Sequence, residues 1–127
     1  MTISEFISKY AGKINPVSRH SVKKDLIWTN KETKAVSFQI PLGSSVNCYF
    51  VTGFHSQVAI EFQGRIKFIS IQVAANRLSG FAKAPSEATI MKWMDEGISK
   101  TVFGERTEPD GTGSHGEPSW LIALGLI

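Results

Sequence analysis

The chain has 127 residues, a net charge of +3, one cysteine and a hydrophobic fraction of 42%. This length predicts a single domain over residues 1–127 with a substantial core, and the single Cys48 excludes an internal disulfide and a zinc site built from several cysteines. No apolar run approaches the roughly 20 residues of a membrane span, and no secretory signal pattern precedes the first helix, so we expect a cytoplasmic protein without membrane contact.

The charge is divided unevenly along the chain. Residues 1–85 contain eleven Lys and Arg against four Asp and Glu, a net charge of +7, whereas residues 86–127 contain three against seven and carry −4. A basic region favours a polyanionic partner, and an acidic region favours a different kind of partner. Ordinary surface charge on a folded domain is the alternative explanation.

A helix is predicted at the N-terminus. Thr2 and Glu5 have the spacing of a capping box, in which each side chain bonds the other residue's backbone amide. Apolar residues follow on one helical face, namely Ile3, Phe6, Ile7 and Tyr10. Gly12 and the Asn15-Pro16 pair are expected to end this helix.

Strands are predicted for the middle of the chain. Residues 17–24 are polar and basic and are expected to form a loop, whereas residues 25–73 alternate apolar and polar positions in the manner of half-buried strands. The inward sets are Val36, Phe38 and Ile40; Val46, Cys48 and Phe50; Val58, Ile60 and Phe62; and Ile66 and Phe68. The apolar phase changes between Phe68 and Ile69, which indicates a β-bulge or a strand buried on both faces. Short connections favour an antiparallel meander.

Two helices and a hairpin are predicted in the second half. Val73–Leu78 reads as a short helix, and Ser86–Glu96 as a longer one that starts at a good N-cap and stops at Gly97. Its buried stripe is predicted to be Ile90, Trp93 and Met94. The apolar end, Trp120–Leu124, is expected to form a strand that pairs with Lys100–Arg106. The predicted fold class is therefore α+β, a mainly antiparallel β-meander of about five strands with an N-terminal helix and a C-terminal helix plus β-hairpin.

The basic first part predicts a nucleic-acid-binding surface, because phosphate contacts from Lys and Arg dominate affinity for nucleic acid. Small five-stranded barrels also bind single strands through stacking aromatic residues. The alternation places Tyr49 on the phase opposite the core set together with Arg65 and Lys67, whereas Trp28 and Phe54 are undetermined. The predicted nucleic-acid-binding residues are Arg19, Lys23, Lys24, Tyr49, Arg65, Lys67 and Lys83.

Residues 73–106 have the element order of a winged helix-turn-helix protein. Thr89–Gly97, a helix that carries a Lys-Trp pair and ends in an acidic residue and Gly, resembles the recognition-helix end of excisionase-type helix-turn-helix proteins. This resemblance implies DNA binding by the first turns of the helix. The residues toward the base edges would then be Ser86, Glu87, Thr89 and Lys92. The wing that follows is acidic and would be repelled by phosphates, so we place the predicted contacts in residues 1–85 instead.

The acidic C-terminal part suggests a second kind of partner. Its tail, Glu108-Pro109-Asp110-Gly111 followed by Pro118–Ile127, resembles the C-termini of small phage and prophage proteins of unassigned function, which implies a phage or mobile-element setting in a host-cell cytoplasm. The predicted partner-binding residues are Glu105, Glu108, Asp110 and Trp120. The alternatives are therefore an inhibitor or adaptor of a host protein, or an assembly subunit that forms a homodimer through the final apolar strand.

No pattern in the chain predicts catalysis. His20, His55 and His115 are far apart and lack the spacing of metal ligands, and phosphate-binding loops and nucleophile elbows are missing. Cys48 lies in an apolar run and is expected to be a buried thiol. We therefore expect no metal, no cofactor and no catalytic residue, and interpret the chain as a small non-enzymatic regulatory protein that binds DNA or RNA.

Overall fold

Four helices and eight short strands make up residues 1–127, all of which the computed structural model describes. In chain order they are α1 (Ile3–Lys9), β1 (Ser18–Ser21), β2 (Leu26–Thr29), β3 (Val36–Ile40), β4 (Ser45–Tyr49), β5 (Gln57–Phe62), β6 (Arg65–Ser70), α2 (Ile71–Arg77), α3 (Glu87–Glu96), β7 (Ser99–Lys100), β8 (Arg106–Thr107) and α4 (Trp120–Ala123). The strand pairs are all antiparallel, so the predicted α+β class is confirmed. None of the helices combines the length and the apolar character needed to cross a membrane.

The main sheet has four strands in the order β1-β4-β5-β6, and β2 and β3 form a separate hairpin inserted between β1 and β4. The predicted loop over residues 17–24 was therefore wrong, because β1 pairs with β4 in the register Ser18↔Cys48 to Ser21↔Ser45. Of the side chains of β1 only His20 is buried, so this edge strand lacks the apolar alternation by which strands are recognised. The order also departs from a simple meander.

The larger core lies on one face of this sheet, under a cover made by the β2–β3 hairpin and the helices α2, α3 and α4. It joins strand residues such as Cys48 and Ile60 with Leu26 and Ile40 of the hairpin and Trp120 of α4. On the opposite face α1 packs a smaller cluster that consists of Phe6, Val51, Ala59 and Ile66. The sheet is thus covered unequally on its two faces.

Strand β6 is buried on both faces. Ile66 belongs to the small cluster beneath α1, whereas Ile69 belongs to the large core. The register between β5 and β6 runs without a shift from Phe62↔Arg65 to Gln57↔Ser70. Of the two interpretations of the phase change, burial on both faces is therefore correct and the β-bulge is wrong.

The two predicted helix starts are confirmed by their caps. Thr2 and Glu5 form the capping box, with the Glu5 amide donating to the Thr2 hydroxyl over 3.2 Å. Ser86 caps α3, and Gly97 ends it with a φ of 69°. The predicted buried stripes were too wide, because Ile7 of α1 and Met94 of α3 are about half exposed, at 56% and 49%. Each helix buries a single residue, Phe6 in α1 and Trp93 in α3, so the other residues of the predicted apolar faces keep part of their surface exposed.

The predicted final strand was wrong, because residues 120–123 form one turn of helix. The Ser119 hydroxyl accepts a hydrogen bond from the Ile122 amide over 3.1 Å, which is the contact of a helix N-cap. Strand β7 pairs instead with β8, in the register Ser99↔Thr107 and Lys100↔Arg106. The predicted C-terminal helix and hairpin are thus present. The hairpin has strands of only two residues each, and the last element of the chain is the helix α4 instead of a strand.

Candidate functional site

The predicted nucleic-acid-binding cations are dispersed over the molecule. Arg19 lies on β1 and Lys23 and Lys24 follow that strand, all exposed, whereas Arg65 and Lys67 lie on β6. Strands β1 and β6 are the two edges of the four-stranded sheet. Three strand spacings separate them, about 14 Å. Lys83 is exposed in the loop before α3. These six cations therefore do not form one patch.

Tyr49 does not share a face with Arg65 and Lys67, contrary to the sequence prediction. Residues paired directly across an antiparallel ladder point to the same face. The register aligns Tyr49 with Ala59 and Phe68, and the neighbouring position Ile60 with Lys67, so Tyr49 and Lys67 point to opposite faces. The alternation failed because β6 carries apolar side chains on both faces.

Tyr49 is part of the packing beneath α1. Its ring lies 5.6 Å from that of Phe6, measured between centroids, and Phe6 in turn contacts Phe68 at 6.0 Å. Burial raises the pKa of the Tyr49 hydroxyl, with a smaller contribution from the Glu61 carboxylate. A tyrosine held in this way is a poor stacking platform for a base.

The structure places Lys67 over two aromatic rings, those of Trp28 and Phe38, and the Phe38 ring in turn contacts that of Phe62. The Lys67 ammonium lies 5.7 Å from the centroid of Trp28 and 5.6 Å from that of Phe38. The ring of Phe38 lies 5.6 Å from Trp28 and 6.3 Å from Phe62. All four side chains are half-buried. We call Trp28, Phe38, Phe62 and Lys67 the aromatic–lysine cluster.

Two hairpins position the cluster. Leu26 pairs with Ile40 and both are buried, which anchors the β2–β3 hairpin to the core two residues from the Trp28↔Phe38 pair. Two-residue hairpin turns favour positive φ at both central positions, and the turn between β5 and β6 has φ values of 52° and 78° at Gln63 and Gly64. This turn places Phe62 opposite Arg65, beside Lys67.

Further cations lie on the turn between β2 and β3 and at the start of β6, the elements that carry the cluster. The turn that joins β2 to β3 contains Lys31 and Lys34, both exposed. Asn30 stabilises this turn by accepting from the Glu32 amide over 2.9 Å and the Thr33 amide over 3.1 Å. Together with Arg65 and Lys67 this gives four cations against Glu32, on the turn and on the first three residues of β6. The surface beside the aromatic rings is therefore basic.

A groove of about 440 Å³ lies beside the cluster, between β2 and α2. Trp28 belongs both to the cluster and to the wall of this groove, and Ile27 and Val73 line it with partly exposed side chains. At one end the Arg77 guanidinium donates to the Asp25 carbonyl oxygen, which ties α2 to β2. The groove offers an apolar recess next to a basic surface.

The predicted partner-binding residues divide into exposed and buried ones. Glu108 and Asp110 are exposed, and Glu105 is exposed while accepting hydrogen bonds from the Ser114 amide and hydroxyl over 3.2 and 3.0 Å. Trp120 is only 1% exposed and lies in the large core. It cannot contact a partner in this fold, because the other side chains of the large core enclose it.

Cys48 and His20, two groups capable of acid–base or nucleophilic chemistry, are enclosed. Cys48 is buried as expected, and burial raises the pKa of its thiol to about 12. His20 is enclosed between Ser79, whose carbonyl accepts from Nδ1 over 2.6 Å, and Ser18, whose hydroxyl lies 2.8 Å from Nε2. Nowhere in the chain do three His, Cys, Asp or Glu side chains come together as possible metal ligands.

Comparisons with known proteins give no match, whether with family models, with curated proteins or with solved structures. The likeness of the C-terminal tail to phage proteins and that of residues 73–106 to excisionase-type proteins stay predictions.

Proposed function

We propose that this protein binds single-stranded nucleic acid through the aromatic–lysine cluster and the cations around it. The proposal keeps the predicted class, a small non-enzymatic regulatory protein of phage type, and the predicted residues Arg65 and Lys67. It moves the aromatic contacts from Tyr49 to Trp28 and Phe38.

The position of Lys67 over Trp28 and Phe38 carries the proposal. A cation lies at this distance because the faces of aromatic rings are electron-rich, and each such contact contributes about 0.5–1 kcal/mol at an exposed site. The same ring faces are suitable for a nucleobase, and stacking on an aromatic side chain contributes about 1–3 kcal/mol per base. A base stacked on these rings would displace the Lys67 ammonium toward the adjacent phosphate. The rings would then contact the base and the ammonium would contact the phosphate.

Single strands fit this surface better than duplexes do. The rings are half-buried beside a groove, so a base must leave its stack to reach them, which costs least in a single strand. Lys31, Lys34 and Arg65 are exposed and can follow a flexible backbone on either side. We expect the logarithm of the affinity to fall with the logarithm of the salt concentration, with a slope of about 0.7 for each phosphate neutralised.

The experiment is a fluorescence-anisotropy titration with labelled single-stranded DNA and RNA at about 50 mM and about 200 mM salt. Lys67→Glu should weaken binding by about tenfold or more, because it replaces an attraction by a repulsion. Trp28→Leu should cost about 1–3 kcal/mol of binding free energy while keeping an apolar side chain at the site. Lys92→Glu, an equal charge change on the exposed face of α3, is the matched control.

Two results would contradict the proposal. One is the lack of any binding at the lower salt concentration. The other is an equal loss in Lys92→Glu and Lys67→Glu, which would reflect net charge alone. The double variant Lys23→Glu/Lys24→Glu tests the originally predicted surface at the other edge of the sheet, and it should keep most of the affinity if the cluster is the site.

The alternative partners predicted from the acidic end stay predictions. Glu105, Glu108 and Asp110 are exposed and remain candidates for a host-protein contact, but Trp120 is enclosed. A homodimer through a C-terminal strand has no strand to use, because residues 120–123 are helical.

A further inference from the structure

The groove between β2 and α2 continues from the aromatic–lysine cluster, because Trp28 belongs to both. Arg77 lies at the other end of the groove, where its guanidinium donates to the Asp25 carbonyl oxygen. Trp28 follows Asp25 by three residues, and at about 3.3 Å per residue of extended chain this separates the two ends by about 10 Å. A strand that stacks one base on Trp28 therefore has room to continue along the groove toward Arg77.

The walls of the groove are apolar. Ile27 of β2 and Val73 of α2 line it with side chains that are 52% and 39% exposed. Leu26 and Ile69 also line it, and both belong to the large core. The volume of about 440 Å³ lies within the range of about 300–1,000 Å³ that is usual for small-ligand sites. Apolar side chains on two sides of a recess are suitable for holding the faces of an unstacked base.

Arg77 is half-buried and held in position at the end of α2. Its backbone carbonyl accepts from the Lys23 amide over 2.6 Å, and its guanidinium makes one hydrogen bond, to the Asp25 carbonyl oxygen. A guanidinium has a fixed fork of N–H donors that matches phosphate oxygens, so most of its donors remain for a ligand. The Asp25 carboxylate accepts from the Leu42 amide over 2.6 Å, on the side of β2 where β3 lies and α2 does not.

We propose that this groove is a second nucleotide subsite, in which the base that follows the one on Trp28 lies between Ile27 and Val73 and Arg77 binds a phosphate beyond it. A stacked strand rises about 3.4 Å per nucleotide, so the distance from Trp28 to Arg77 corresponds to about three steps of the strand. The subsite depends on the proposed function, because the aromatic–lysine cluster must hold the same strand.

The experiment is an anisotropy titration of the full chain with a labelled oligothymidylate of about six nucleotides, a length typical of single-strand-binding sites. Val73→Glu places a carboxylate in the groove and should weaken binding by about tenfold or more. Gln72→Glu is the matched control, because it adds the same charge one residue earlier on α2, at an exposed position that does not line the groove. It should change the affinity by no more than about twofold.

Arg77→Gln identifies the phosphate contact. It should weaken binding and also lower the slope of the logarithm of affinity against the logarithm of salt concentration by about 0.7, the value for one phosphate. A residue that only ties α2 to β2 would lower the affinity and leave this slope unchanged, so an unchanged slope overturns the phosphate contact.

The same titrations distinguish the subsite from the cluster. Equal affinities for Val73→Glu and Gln72→Glu, beside a loss in Trp28→Leu, overturn the subsite and leave the proposed function in place. Lack of binding by the parent protein contradicts the proposed function, and the subsite with it.

Discussion

The sheet region (residues 1–85) and the C-terminal region (residues 86–127) are stabilised in different ways. The first contains six strands and two helices around apolar clusters, and its buried polar side chain is His20. The second contains only α3, two strands of two residues and one turn of helix, yet it holds four of the five buried polar side chains of the chain. These four are Ser99, Thr101, Glu117 and Ser119.

The difference follows from the backbone. A ladder of strands satisfies its own amide and carbonyl groups, whereas an irregular chain must bond them to side chains when it is buried. Glu117, which is 0% exposed, accepts from the Thr101 hydroxyl over 3.0 Å and from the His115 amide over 2.9 Å. The Thr101 oxygen accepts in turn from the amides of Phe103 and Glu105. The buried carboxyl group thereby joins the segments around Thr101 and His115, in addition to the backbone bridges Thr101↔Ser119 and Thr112↔Pro118.

Gly113 shows how closely these loops approach Glu117. A Cβ atom at this glycine would lie 2.1–2.6 Å from the Glu117 carboxyl atoms, which is closer than real side chains come. The Gly113 amide also donates to the Glu117 carbonyl oxygen over 2.9 Å. Gly113 thus allows the turn over residues 113–117 to close tightly on the Glu117 carboxyl group.

A truncation in the apolar cluster beneath α1 should destabilise the protein most. Phe6 is the central residue of the cluster beneath α1, and Phe6→Ala should lower the free energy of unfolding by about 3–5 kcal/mol, because it leaves a cavity among Val51, Ala59 and Ile66. Chemical denaturation measures this. Ile7→Ala, one residue further on the exposed side, is the control and should change stability by no more than about 0.5 kcal/mol. Equal effects at both positions would mean that α1 does not pack as described.

Removal of the buried Glu117 carboxyl group should have the next largest effect on stability. Glu117→Ala should lower the free energy of unfolding by about 2–3 kcal/mol, because the Thr101 hydroxyl and the His115 amide lose their acceptor. Glu117→Gln keeps one acceptor oxygen and should lie between the parent and the alanine variant. Glu108→Ala, at an exposed position of the same region, is the control. If Glu117→Ala were as mild as Glu108→Ala, the buried carboxyl group would not hold the loops together.

The sequence predicted the parts of the fold that have local signals. Caps at Thr2 and Ser86 and the stop at Gly97 defined two helices, because these residues satisfy helix ends wherever the helix packs. The strand β1 and the helix α4 were missed for opposite reasons. The first has one buried residue and therefore no periodicity, and the second is apolar throughout, so its period is ambiguous.

The candidate site was predictable in charge but not in geometry. Composition located the cations in residues 1–85, including Arg65 and Lys67. It could not place Trp28 above Lys67, because that contact depends on how the β2–β3 hairpin folds over the sheet, which is a tertiary property. The pairing of Trp28 with Phe38 was not readable from the sequence either, because the register shifts between Trp28 and Thr29. Equal counting from the Thr29↔Val36 pair would have matched Trp28 with Ser37.

Protonation of His20 should change the stability least. This residue lies at the contact between the two regions, with its ring centroid 5.2 Å from that of Phe103 in the C-terminal region. Burial lowers the pKa of His20 below its ordinary value of 6.5, the hydrogen bond to the Ser79 carbonyl opposes this, and His115 adds to the lowering. The unfolded chain therefore binds a proton more readily than the folded one, so this contribution to stability is complete above about pH 6.5 and is lost as the pH falls below it.

Unfolding titrations between neutral pH and about pH 5.5 measure the loss, as the difference between the parent and His20→Gln. The parent should lose more stability on acidification than the variant, which has no imidazole to protonate, and His55→Gln, at an exposed position, should follow the parent. Because His115 also faces this contact through Phe103, at 5.9 Å, His115→Gln should weaken the pH dependence slightly. A His20→Gln variant with the same pH dependence as the parent would show that His20 stays as easily protonated in the folded protein as in the unfolded chain.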